Sequence, residues 1–213
     1  MFSPPSRQEI DHRAMKLIIG LIALTLANIT SIFSHTLITS ISAAYYEDGW
    51  ARNFLVGFLF AISSFLLAYN GESRKEMFLS KLAAAAAFGV AMFPCGCDGH
   101  VELIPHVHYI CAAVLFSILV AFCWIFHKRA LQKGHREALR RSKLYLLCGA
   151  IIVLAMLVMF IDFITHEALS AVVARLTFYC ERAGLVAFGV SWLTASRVLP
   201  VISSKKERFA PFA

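Results

Sequence analysis

The chain has 213 residues, 59% of them hydrophobic and 15% charged, with a mean hydropathy of +0.71. Soluble domains carry about 25% charged and at most about half apolar residues, so an ordinary cytosolic enzyme, a disordered chain, a nucleic-acid binder and a secreted disulfide scaffold are all excluded. The formal charge of +7, from 20 Lys and Arg against 13 Asp and Glu, matters through its placement along the chain.

At about 20 residues per crossing, the length fits an all-α polytopic membrane protein, a single domain built as a bundle of six transmembrane helices. The first apolar run, 14–33, follows a polar head with Arg7, Arg13 and Lys16. It is too long for the core of a signal peptide and reads as a retained signal-anchor. The second span covers 53–69. The third, 77–93, holds five consecutive alanines, Ala83 to Ala87, which permit close helix packing, and Pro94 marks its end. The fourth, fifth and sixth cover 105–126, 144–164 and 179–199, and a basic loop is expected at 127–143. No soluble domain of ordinary size fits beside them.

Counting positive charges tests the layout. The head, the 70–81 connection, the 127–143 loop and the tail from Arg197 hold 17 of the 20 Lys and Arg. Six spans put all four segments on one side, so both termini are expected in the cytoplasm. The opposite face keeps only Arg52, Arg175 and Arg182, with seven acids and five of the eight histidines. The basic segments are expected to set topology and touch anionic lipid headgroups. Membrane lipids are the expected partners, and nucleic acid is not one.

The outer segment 34–52 is amphipathic. If helix continued from span one, His35, Thr39, Ser42 and Tyr46 would share a face. It reads either as an interfacial connector anchored by Tyr45, Tyr46 and Trp50, or as a lid with Ser40 or Ser42 and the Glu47–Asp48 pair turned inward. Next comes F-P-C-G-C-D-G-H. Its two thiols, Cys95 and Cys97, are open to three readings: a structural disulfide, with each other or with Cys180; free thiols; or metal ligands beside Asp98 and His100.

His106 and His108 open span four and, two residues apart, cannot share a helix face. Asp162 and His166, four apart, are expected to share one. That pair reads as an Asp-oriented histidine, two metal ligands or an intrahelical hydrogen bond. Glu181 opens span six, where an acid in an apolar stretch needs a partner. The candidates are an arginine in an ion pair, or a shared pocket with Asp162, His166 and one of His106 or His108. Zinc held by His106, His108 and His166 would activate water for hydrolysis of a lipid ester or amide. Asp162, Glu181 and Ser42 are then the catalytic candidates, and Ser40, Tyr46, Asp48 and Arg52 the substrate-binding ones. No H-E-x-x-H or G-x-S-x-G motif is present.

The stretch S-I-S-A-A-Y-Y-E-D-G-W-A-R-N-F-L-V-G-F-L-F-A-I-S-S-F-L-L-A-Y-N-G from Ser40, with A-A-A-F-G-V-A-M-F-P to Pro94, H-Y-I-C-A-A-V-L-F from His108 and E-R-A-G-L-V-A-F-G-V-S-W-L from Glu181, resembles a widespread family of bacterial polytopic membrane proteins with no established reaction. A distant likeness extends to six-span proteins of the DRAM and Sfk type, which implies a role in membrane organisation. The matched positions are Ser40, Ser42, Tyr45, Tyr46, Arg52, Asn53, His108 and Glu181, with Asn53 standing where relatives commonly show Asp. The resemblance implies a shared outer-face site. A looser likeness, to membrane-embedded metal hydrolases such as alkaline ceramidases and adiponectin-receptor-like proteins, implies a zinc held by histidines with an aspartate and a serine. Two functional classes follow. A metal-dependent hydrolase needs ligands gathered at one point; a lipid-binding or membrane-organising protein needs the same acids and histidines paired locally. A transporter would need a polar path across the bundle, which the cytoplasmic halves of the spans scarcely offer.

Overall fold

A computed structural model describes residues 11–203 and 207–209. Arg7, Lys205, Lys206 and the tail beyond Phe209 lie outside the described residues. Six helices follow in order: α1 (His12–Phe33), α2 (Trp50–Ala68), α3 (Arg74–Met92), α4 (Val107–Lys133), α5 (Arg136–Ile164) and α6 (Leu176–Ser196), with a short 3-10 turn at Ser42–Tyr46. No strand occurs among the described residues. Helices α1, α2, α4 and α5 are long and apolar enough to cross a membrane.

Local chemistry sets the boundaries. The Asp11 carboxylate caps α1 by accepting from the Arg13 and Ala14 amides. Ser73 caps α3 through the Glu76 amide, and Glu76 reaches back to the Ser73 hydroxyl and the Glu72 amide; S-R-K-E is a capping-box sequence. The expected loop at 127–143 is mostly helix. Its Ala, Leu, Lys, Arg and Glu residues are strong helix formers, so α4 runs on to Lys133. Gly134 ends it in the left-handed conformation (φ 70°) that glycine adopts without strain. The His135 ring then accepts from the Ala138 amide at the start of α5.

Each helix packs on its neighbours in sequence, and α6 closes the ring against α1. Ile19, Ala23, Leu66, Ala87, Phe122 and Trp192 fill the centre. The Trp192 ring lies 5.3 Å from Tyr69, 5.5 Å from Phe122 and 5.3 Å from Phe188. Alternation of direction brings the start of α1, the ends of α2, α4 and α6 and the start of α5 to one basic rim. The starts of α4 and α6 meet the 34–49 segment at the other, acidic rim.

Helices α1 and α6 approach closely at a glycine pair, Gly20 and Gly189. A Cβ on Gly189 would meet the Gly20 carbonyl at 2.8 Å and the Leu24 side chain at 2.7 Å. We expect Gly189→Leu to cost about 1–3 kcal/mol through overpacking, whereas Gly57→Leu, where a Cβ meets nothing within 4 Å, leaves stability unchanged. Thermal unfolding of both variants in one detergent checks this; equal midpoints would mean that α1 and α6 do not touch there.

Candidate functional site

The acidic rim is organised around the 34–49 segment. Helix α1 stops at Phe33, and Ser34 is extended (φ −75°, ψ 140°), so His35, Thr39, Ser42 and Tyr46 do not share a helical face. Polar groups outcompete the helix here. The Glu47 carboxylate accepts from the Thr36 hydroxyl and from the His35 amide at 3.0 Å. The Thr36 hydrogen bond holds Glu47 below the usual carboxylate range against its partial desolvation, with the His35 amide adding to the effect.

The segment then turns in over the bundle. Ser40 is buried, and its hydroxyl accepts from the Ala43 amide at 2.9 Å, fixing the 3-10 turn. That turn presents Ser42 to two helices at once. Its Oγ lies 3.1 Å from Oε1 of Glu181 on α6 and 3.2 Å from Nε2 of His108 on α4. The other Glu181 oxygen accepts from the Ile41 amide, and Nδ1 of the buried His108 lies 2.8 Å from the Phe93 carbonyl at the end of α3. One line of hydrogen bonds, Phe93–His108–Ser42–Glu181–Ile41, ties α3, α4, α6 and the 34–49 segment together.

Donor counting defines its chemistry. A carbonyl only accepts, so Nδ1 of His108 carries a proton and, in the neutral ring, Nε2 accepts from Ser42. Ser42 Oγ then takes its hydrogen bond from a protonated Glu181. With the ring charged, Nε2 donates to Ser42 and Ser42 donates to an ionised Glu181. Both arrangements hold the same number of protons, so Ser42 can pass one between the acid and the imidazole.

The other candidates are arranged differently. Asp162 and His166 do not form a pair. Helix α5 ends at Ile164, and His166 and Glu167 take left-handed backbone conformations (φ 52° and 64°), which breaks the four-residue periodicity their pairing requires. His166 is exposed. Asp162 instead caps the following loop, accepting from the Leu169 and Ser170 amides at 2.9 Å each and from the Ser170 hydroxyl. It therefore does not join Glu181 in a shared pocket, and Glu181 forms no ion pair among the described residues. His106 is exposed at a left-handed position (φ 65°) before α4, while His108 enters the bundle. The three histidines do not fit a zinc ion in this arrangement, because both ring nitrogens of His108 are engaged and the other two rings face outward. No group of three His, Cys, Asp or Glu that could hold a metal occurs among the described residues.

Around the line of hydrogen bonds the 93–106 loop is braced by a Cys95–Cys97 disulfide, and Cys180 is free. The Tyr46 hydroxyl donates to the Cys95 carbonyl, and its ring stacks on His100 at 3.8 Å. Burial pushes the Tyr46 hydroxyl pKa up, with Tyr45 and Glu102 adding to it. Thr39 donates to Asp98 at 2.8 Å. Arg175 donates to the Ile38 carbonyl at 2.8 Å. Arg52 is exposed and stacks over Tyr45 at 4.6 Å, and Asp48 is exposed. Sequence reasoning offered Glu181 a pocket with one of His106 or His108, but did not place Ser42 between the acid and the imidazole. It also missed the Phe93 carbonyl and the Ile41 amide, for which a backbone group gives no side-chain signal.

The fold and its surface define an all-helical membrane protein, with large apolar side chains such as Leu154, Leu157 and Phe160 turned outward along α5. Comparison with protein-family models, curated proteins and solved structures finds no match to this chain.

Proposed function

We propose that this is a six-span bacterial inner-membrane protein, with both termini cytoplasmic, that binds and organises lipid without transforming it. Two features support the topology. All six helices alternate in direction round a closed ring, and the basic segments among the described residues gather at one rim, as the positive-inside rule requires of a cytoplasmic face. Helices α3 and α6 cross as members of the ring, their backbones satisfied internally.

The observation that carries the non-catalytic reading is the local pairing at the acidic rim. Glu47, Asp98, Glu102, Asp162, Glu181 and His108 each bond to a neighbouring amide, hydroxyl or carbonyl. These bonds clamp one end of the bundle, and the basic rim is left to meet anionic headgroups. Purified protein is expected to carry phospholipid and to return it unaltered after prolonged incubation, as read by mass spectrometry of the extracted lipid. Stoichiometric zinc that is lost in His108→Ala, or accumulation of lysolipid or free fatty acid, would defeat this reading.

A second reading, a hydrolase of lipid esters or amides, is favoured by one contact. Ser42 Oγ lies within hydrogen-bond reach of His108 Nε2, while the Phe93 carbonyl orients the ring. This is the relation of a nucleophile to its base. Ester turnover by the wild type that Ser42→Ala abolishes would establish it.

A further inference from the structure

The basic rim contains a cavity of about 220 Å³, formed by the first turns of α1, the ends of α2, α4 and α6 and the start of α5. Six cations line it, Arg13, Lys16, Arg129, Lys133, Arg141 and Arg197, and one acid, Glu72. Carboxylates neutralise part of this charge. Glu72 and Glu76 hold Arg129, and Glu207 draws in Lys133, Arg141 and Arg197. Six cations against three acids leave an excess of three positive charges at one cavity.

Among the described residues, Lys16 is the buried cation of this cavity that no carboxylate holds. Its side chain is 7% exposed, and its ammonium sits 5.3 Å from the Tyr69 ring centre and 5.2 Å from that of Phe126. Among the described residues it makes no hydrogen bond and joins no ion pair. An ammonium has three donors to fill, and aromatic faces return only part of what its desolvation costs. His12, on the same wall, has a buried Nδ1 with no hydrogen-bond partner among the described residues. The buried Lys16 ammonium therefore lacks an acceptor among the described residues, in a cavity of positive potential.

We infer that this cavity binds a phosphate-bearing anion, either the phosphate of an anionic lipid headgroup or a free phosphate. Arginine forks match phosphate oxygens in pairs, and Lys16 supplies a buried positive charge with no ion pair among the described residues. The volume is below the roughly 300–1,000 Å³ of sites that enclose a whole drug-sized molecule, and suits a headgroup whose acyl chains stay in the bilayer. The lipid source rests on the lipid-binding reading above; the anion site itself does not.

The test uses the full chain, the wild type and Lys16→Met, a swap that keeps volume and removes the charge. Inorganic phosphate is titrated against thermal stability in uncharged detergent. In parallel, protein from nanodiscs of phosphatidylcholine with phosphatidylglycerol is examined by native mass spectrometry. Phosphate is expected to raise the wild-type midpoint, and Lys16→Met to weaken its apparent affinity at least tenfold while unfolding no earlier without ligand. Selective retention of phosphatidylglycerol by the wild type, lost in Lys16→Met, assigns the anion to a lipid. Phosphate binding without such retention keeps the anion site and defeats the lipid-binding reading. If Lys16→Met fails to fold, Arg13→Gln, at an exposed position on the cavity wall, is expected to weaken phosphate about threefold. No response of the wild type to phosphate or phosphatidylglycerol overturns the inference, as does an undiminished response in the folded variants.

Discussion

Replacing Glu181 with alanine is expected to destabilise the bundle by about 2–4 kcal/mol and to free the 34–49 segment from the acidic rim. The substitution removes the acceptor for the Ile41 amide and the partner of Ser42. Each buried donor left without a partner costs about 1–3 kcal/mol. Glu181→Gln is expected to cost less than about 1.5 kcal/mol. Its amide oxygen can still accept from Ile41, and its NH2 group can donate to Ser42, reproducing the arrangement in which Glu181 is protonated and His108 is neutral. Unfolding followed by tryptophan fluorescence in detergent measures both. A Glu181→Ala variant within about 0.5 kcal/mol of the wild type would show that the line of hydrogen bonds holds nothing together.

The second large effect lies at the opposite rim. Glu207 accepts from Arg197, from Arg141 at 3.0 Å and from Lys133 at 3.4 Å, with His135 at 3.5 Å. Desolvation alone would raise its pKa, but the Arg197 hydrogen bond and the surrounding cations outweigh it and bring the carboxyl down from 4.5 to about 2. A folded-state pKa below the unfolded one stabilises the fold above the unfolded value. That contribution is fully present above about pH 4.5 and is lost as pH falls through about 2. Discounted for solvent screening at this rim, a shift of this size corresponds to on the order of 1–2 kcal/mol. Glu207→Gln is therefore expected to lower stability by about that amount at pH 7, with the gap to the wild type closing between pH 4.5 and 2. Unfolding midpoints measured across that range decide it, and a gap independent of pH would rule out the charge as the cause.

The two rims differ in how much of them was legible beforehand. Helix positions followed from apolar runs and from Pro94, and the rim-to-rim charge asymmetry followed from counting Lys and Arg. The extension of α4 and α5 past their apolar stretches was missed, because a basic run signals a loop only when its residues are poor helix formers, and these are good ones. Asp162 and His166 misled for a related reason. Spacing of four implies a shared face only while the helix lasts, and α5 ends between them. Lys16 and Glu76 carried weak signals: a cation one turn inside an apolar run, and the last position of a capping box.

By itself the chain's composition and periodicity determined an all-helical membrane protein, because apolar runs of about 20 residues match the length of a helical crossing, and a helix satisfies its backbone hydrogen bonds within itself in a bilayer. Only the tertiary structure decided that Ser42 meets both His108 and Glu181, 66 and 139 residues away, and that Lys16 faces a cavity built by five helices. Such meetings depend on which helix ends share a rim and how a short segment folds across them. Periodicity records the face of a helix, not its neighbour.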